Sequence, residues 1–135
     1  PSIFTSASME HHSLAPRISE TLAGPYMPGK HIIVDGTGVQ ENSLNDMEGF
    51  RALIEPRITA LGLVSVGSMF HGFPGGGFTA VVCLTESHLS MHTWPEHGRV
   101  TFDVFLSNDA AGAELVQCIL DFLGIGEFTR TELRR

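Results

Sequence analysis

Positive charge is scarce in this chain. Eight Lys and Arg stand against fifteen Asp and Glu, a net charge of −7. That balance argues against nucleic acid and anionic membrane as partners, and it is compatible with a cationic substrate. Cysteine is scarce too. Cys83 and Cys118 are the only two, and both fall in apolar segments. No disulfide framework is expected; buried free thiols in a cytoplasmic protein are. No apolar run approaches the ~18–20 residues of a membrane-spanning helix. No basic stretch followed by an apolar one opens the chain, so no secretory leader is expected. The loop Gly72-Phe73-Pro74-Gly75-Gly76-Gly77 is not followed by Gly-Lys-Ser/Thr. A phosphate cradle is therefore discounted, and the loop reads as a turn that allows close approach of backbone to a ligand.

What is present suffices for one core. The chain has 135 residues, 42% of them hydrophobic, which fits a single domain. Residues 1–28 are rich in Ser, Pro and Gly without a period and read as a flexible N-terminal extension, with His11 and His12 solvated. The domain is expected over 29–135. His31 to Val34 reads as a first strand, and Asp35-Gly36-Thr37-Gly38 as a turn. Asn45 with Glu48 reads as a capping box. It opens a helix with Phe50, Leu53, Ile54, Ile58 and Leu61 on one face, kinked or split by Pro56 and ended by Gly62. Leu63–Phe70 and Phe78–Leu84 read as strands. A further strand begins at Gly98, with Phe102, Val104 and Leu106 facing one way and Asp103, Phe105 and Ser107 the other. Asn108 or Asp109 caps a second helix with Leu115, Cys118, Ile119, Phe122 and Leu123 on its apolar face, closed by Gly124. Phe128–Leu133 reads as an edge strand. The order, one strand, a helix, four strands, a helix and a strand, predicts an α+β fold: a mainly antiparallel sheet with two helices on one face.

The densest pattern is Glu86-Ser87-His88-Leu89-Ser90-Met91-His92-Thr93-Trp94-Pro95-Glu96. Alternation reads it as a half-buried strand, with Ser87, Leu89, Met91 and Thr93 on one side and His88, Ser90, His92 and Trp94 on the other. His88 and His92 have the i, i+4 spacing of a helical metal pair. Thr93, Trp94 and Pro95 favour a strand, where the two would lie roughly 13 Å apart, too far to share an ion. No metal is expected. Taken singly, Phe73 and Trp94 read as core rings, and Glu96 as a solvated turn residue.

The whole string resembles the self-cleaving segment of the prokaryotic S-adenosylmethionine decarboxylase proenzymes, Glu-Ser-His-x-Ser-x-His-Thr-Trp-Pro-Glu. Phe70-His71-x-Phe73 upstream and Asp103-Val104-Phe105 downstream keep the family's spacing. The resemblance implies a two-layer α/β protomer whose sheets pack in a homodimer or higher oligomer. It implies a pyruvoyl group derived from Ser87. Ser87 Oγ attacks the Glu86 carbonyl, the resulting ester eliminates, and the ketone left at 87 takes the substrate amine as a Schiff base. It places His92 as the residue that takes the Ser87 α-proton, and Thr79 where the family commonly has a processing serine. Phe73 and Trp94 stand at adenine-lining positions, Glu96 at the ribose-binding carboxylate, and Asp35 near the acidic end of the first strand. The implied activity is decarboxylation of S-adenosylmethionine for spermidine synthesis.

The family's proton-donating cysteine falls on Ser107. A hydroxyl is a much weaker acid than a thiol, so the step is expected to be poor unless a water or a histidine, His71 or His88, relays the proton. Two alternatives stay open: the same chemistry on arginine or ornithine, and an uncleaved, non-catalytic homologue with a binding or regulatory role.

Overall fold

The computed structural model describes residues 26–124 and 126–135. The extension expected over 1–28, with His11 and His12, lies almost wholly outside them. Strand β1 (Lys30–Thr37) leads to a short helix α1 (Glu41–Asn45) and a long one, α2 (Met47–Ala60). Four strands follow: β2 (Ser65–Gly72), β3 (Phe78–Leu84), β4 (His88–Trp94) and β5 (Arg99–Leu106). A 3-10 turn at Pro95–His97 separates the last two. Helix α3 (Asp109–Leu123) and strand β6 (Glu127–Arg134) complete the chain. The six strands form one sheet in the order β2-β3-β4-β5-β1-β6, with every neighbouring pair antiparallel. This is the expected α+β fold, with one additional short helix.

Alternation drives the layering. Ile32, Val34, Ala80, Val82, Leu89, Met91, Phe102 and Val104 are buried on one sheet face, against Phe50, Ile54 and Ile58 of α2 and Leu115, Val116 and Ile119 of α3. Among the described residues the other face carries no helix. Helix ends follow local chemistry. Asn108 accepts from the Ala111 N–H at 3.0 Å and caps α3. The α2 end is a Schellman motif: Gly62 (φ 76°) donates to Thr59 and Leu63 to Ile58, both at 3.0 Å. That cap holds Leu63, so β2 starts at Ser65 rather than at 63.

Several expectations are corrected. The first strand does not turn at Asp35; it runs to Thr37 because β5 and β6 pair with it on both sides. The cap of α2 is Asp46, which accepts from the Gly49 N–H, and not Asn45. Pro56 does not split α2; Ala52 and Pro56 are both exposed, so the carbonyl deprived of a donor faces water. Gly98 is the left-handed residue (φ 60°) closing the 3-10 turn, and β5 begins after it. Neither thiol is fully buried: Cys83 is exposed on the helix-free face, and Cys118 is half-buried, with burial pushing its thiol up.

Candidate active site

The helix-free face is where the polar positions of β4 point. Leu89, Met91 and Thr93 are buried under the helices, whereas His88, Ser90, His92 and Trp94 are not. Strand register then sets rows across the sheet. Thr79 stands opposite His92, His92 opposite Thr101, and Thr101 opposite Asp35. Thr79 Oγ1 lies 2.9 Å from His92 Nδ1. Phe73, Gly76, Thr79, His92, Thr93, Trp94 and Glu96 line a cavity of about 340 Å³. Five expected site residues (Phe73, Thr79, His92, Trp94 and Glu96) are thus brought together. The two rings are not core: Phe73 is 48% exposed and Trp94 38%.

Three residues that sequence reasoning missed hold this cavity in shape. Gly77 has φ 88°, and a Cβ there would meet the Thr93 carbonyl oxygen at 2.8 Å. Its N–H donates to Asn45 Oδ1 at 2.8 Å. Thr93 Oγ1 accepts from the Phe78 N–H at 2.9 Å and donates to the Leu44 carbonyl at 2.7 Å. The glycine loop is therefore tied to the end of α1. The Gly run was legible as a turn, but its partners, Asn45 and Thr93, are brought to it only by the tertiary fold.

Ser87 lies at the opposite end of β4. It follows the exposed turn Thr85–Glu86, and its carbonyl accepts from the Leu84 N–H at 2.9 Å. Five residues separate Ser87 from His92, roughly 17 Å along a strand. Within one protomer the two therefore lie at opposite ends of β4. Ser107 follows β5, and His88 stands opposite Phe105; one further step of the antiparallel register sets Ser87 against Leu106, so Ser107, the next residue, lies at the Ser87 end. Asp35 sits at the His92 end, two strands away, roughly 10 Å.

Between the two ends lies a group the sequence did not reveal. His31 Nε2 is 2.6 Å and His88 Nε2 2.9 Å from the same oxygen, Asp103 Oδ2, and Ser90 donates to Asp103 Oδ1. Burial pushes the Asp103 carboxyl up, but the hydrogen bonds from Ser90, His31 and His88 together outweigh it and hold the group below the usual carboxylate range. Among the described residues these are the one set of His, Cys, Asp or Glu close enough to share an ion. The geometry is that of a hydrogen-bonded cluster instead. Arg135 Nη1 lies 3.4 Å from His31 Nδ1. An arginine can only donate, which leaves the His31 hydrogen on Nε2, facing the carboxylate.

A one-sided antiparallel sheet bearing a serine turn at one end and a hydroxyl–imidazole pair with an aromatic cleft at the other defines a two-layer α/β protein of enzyme type. The chain belongs to the S-adenosylmethionine decarboxylase family, whose model matches residues 30–135. Similar proteins are named S-adenosylmethionine decarboxylase proenzyme. The Aquifex aeolicus one is 40% identical over 85 residues, 63% of each chain. The Archaeoglobus fulgidus one is 38% identical over 64% of this chain and 77% of its own. The Methanococcus aeolicus one is 31% identical over 79% of this chain and 92% of its own. The match thus spans less than two thirds of the Aquifex relative's length. A crystal structure of the adenosylmethionine decarboxylase from Aquifex aeolicus superposes with a TM-score of 0.73 at 29% identity, covering 82% of this chain and 92% of that one. No described helix is long and apolar enough to cross a membrane.

Proposed function

We propose that the chain is a self-processing, pyruvoyl-dependent decarboxylase of S-adenosylmethionine, acting as a homodimer or higher oligomer in spermidine synthesis. The observation that carries the reading is the cleft, with two exposed aromatic rings and a free carboxylate beside the Thr79–His92 pair. Trp94 and Phe73 offer flat faces to an adenine and attraction to a sulfonium cation. The Glu96 carboxylate accepts from the vicinal hydroxyls of a ribose. These groups favour a nucleoside over arginine or ornithine.

The residues at the Ser87 end suit a pyruvoyl precursor. Ser87 is half-buried, directly after the exposed residues Thr85 and Glu86. Cutting the 86–87 bond there breaks no rung of the β3–β4 ladder, which begins at the Cys83–His88 pair. Once formed, the group supplies the electron sink that loss of CO₂ requires. The chain's own residues do the rest. His92, with Thr79 on its Nδ1, takes the α-proton of residue 87. The distance between His92 and Ser87 within a protomer calls for a second copy, whose helix-free face meets this one and brings its His92 end to this Ser87.

The test is intact mass. The natural chain is expected as two fragments meeting between Glu86 and residue 87, the second beginning with pyruvate, and Ser87→Ala as one uncut, folded chain. Cleavage persisting at that bond in Ser87→Ala would exclude Ser87 as the precursor. An uncut natural chain that binds no S-adenosylmethionine would overturn the decarboxylase reading.

A further inference from the structure

We infer that His88 is the acid that returns a proton to the substrate's α-carbon, with Asp103 and His31 as its positioning residues. The inference rests on the decarboxylase reading and adds to it the donor that Ser107 cannot readily be. A general acid must be close to the reacting atom and must offer a free proton-bearing nitrogen. His88 is the residue next to position 87, and its side chain lies on the helix-free face.

The cluster fixes which nitrogen is free. Asp103 is a carboxylate and only accepts, so His88 Nε2, 2.9 Å away, carries its hydrogen toward Asp103. Among the described residues Nδ1 of His88 has no hydrogen-bond partner. Asp103 is itself held by Ser90 on Oδ1 and by His31 Nε2 on Oδ2 at 2.6 Å. The Phe105 ring packs against both imidazoles, with centroids 5.7 Å from His31 and 5.9 Å from His88. This is the arrangement by which a carboxylate, here half-buried, sets the tautomer and orientation of a catalytic histidine. The titratable or charged groups facing it are Asp103 on β5, His31 on β1, Cys83 opposite it on β3, and Arg135 beyond His31.

The step balances simply. Loss of CO₂ leaves an electron pair on the substrate's α-carbon. The Nδ1–H of the His88 imidazolium gives its proton to that carbon, and the imidazole is left neutral with its Nε2–H still on Asp103. Solvent returns a proton to Nδ1. If the proton goes instead to the carbon derived from residue 87, that residue ends as alanine and the active site is lost.

Two measurements test this. Long-range proton–nitrogen spectra of the purified protein, taken at a pH where the imidazole form is seen, are expected to show that form of His88 with its hydrogen on Nε2, and Asp103→Ala is expected to release that preference. A natural chain with the hydrogen on Nδ1 would overturn the positioning, whether or not the chain is cut. Mass spectrometry of the fragment starting at 87 gives alanine formed per CO₂ released. His88→Gln is expected to raise that ratio by about tenfold or more, and Ser107→Cys in the same background to bring it down again. If His88→Gln does not process, Asp103→Ala is expected to move the ratio in the same direction. A ratio unchanged in the processed variants would assign the proton to another donor. An uncut natural chain would instead defeat the decarboxylase reading, and the donor role with it.

Discussion

Thr93→Val, made in the Ser87→Ala background so that the chain stays in one piece, is expected to destabilise the fold severely for so small a change. Thr93 is 6% exposed, and its hydroxyl serves two buried backbone groups. It accepts from Phe78 N–H at the start of β3 and donates to the Leu44 carbonyl in the last turn of α1. Valine keeps the shape and loses both bonds. Each orphaned group costs about 1–3 kcal/mol, and the added methyl returns about 0.8 kcal/mol. The net loss is therefore about 1–5 kcal/mol. With a urea m-value of about 2 kcal/mol/M, the midpoint falls by about 0.6–2.6 M at unchanged slope. Since Asn45, next to Leu44, holds the Gly77 N–H, the same variant is expected to weaken nucleoside binding in the cleft, read by calorimetry. A midpoint shift below about 0.3 M would mean that water reaches these groups and that the hydroxyl is not their tie.

His92→Ala is expected to stall processing after acyl migration, leaving an ester that hydroxylamine cuts between 86 and 87; an uncut, hydroxylamine-resistant chain would assign His92 an earlier or purely structural part. Glu96→Gln is expected to weaken S-adenosylmethionine binding by about 10–100-fold, the loss of one charged acceptor, while arginine binding stays the same; calorimetry showing the opposite pattern would turn the substrate reading toward a basic amino acid. Asp103 is held below the usual carboxylate range by its three donors, so its contribution to stability is present above the unfolded value of about 3.9 and is lost as pH falls through the lower folded value. Urea midpoints at pH 6 and pH 3 are expected to differ more for the natural chain than for Asp103→Asn, and equal differences would mean that the cluster adds nothing to stability.

The parts that were legible are those written in local pattern. Phe78–Leu84 is a continuous apolar run between a glycine loop and polar residues, and it is β3 over those same bounds. Gly62 and Asn108 mark helix ends by their own chemistry. The alternation in β4 and β5 sorts core from open face correctly. The parts that failed depend on partners far away in sequence. Asp35-Gly36-Thr37 looks like a turn until β5 and β6 clasp it. Asn45 looks like a cap until Gly77 claims its carbonyl. His31, His88 and Asp103 were each visible as polar positions, but their convergence on one carboxylate oxygen is set by the registers of β1 with β5 and β4 with β5. The separation of Ser87 from His92 is the same lesson reversed, since closeness in a motif becomes distance on an extended strand.

The strand order carries one more consequence. Cleavage at 86–87 leaves a piece holding β1, β2 and β3 and another holding β4, β5 and β6. In the sheet these run β2-β3-β4-β5-β1-β6, so the two pieces alternate like fingers of clasped hands, meeting at three separate strand seams. The first piece cannot leave without opening β3 from β4 and withdrawing β1 from between β5 and β6. Processing of this chain would therefore cut a covalent bond without releasing anything, and the product would keep its shape in the folded state. Its memory of assembly would be gone, however. Once unfolded, the two pieces have to find each other again in solution, so a processed protein would refold at a rate that depends on its concentration, where the intact precursor would not.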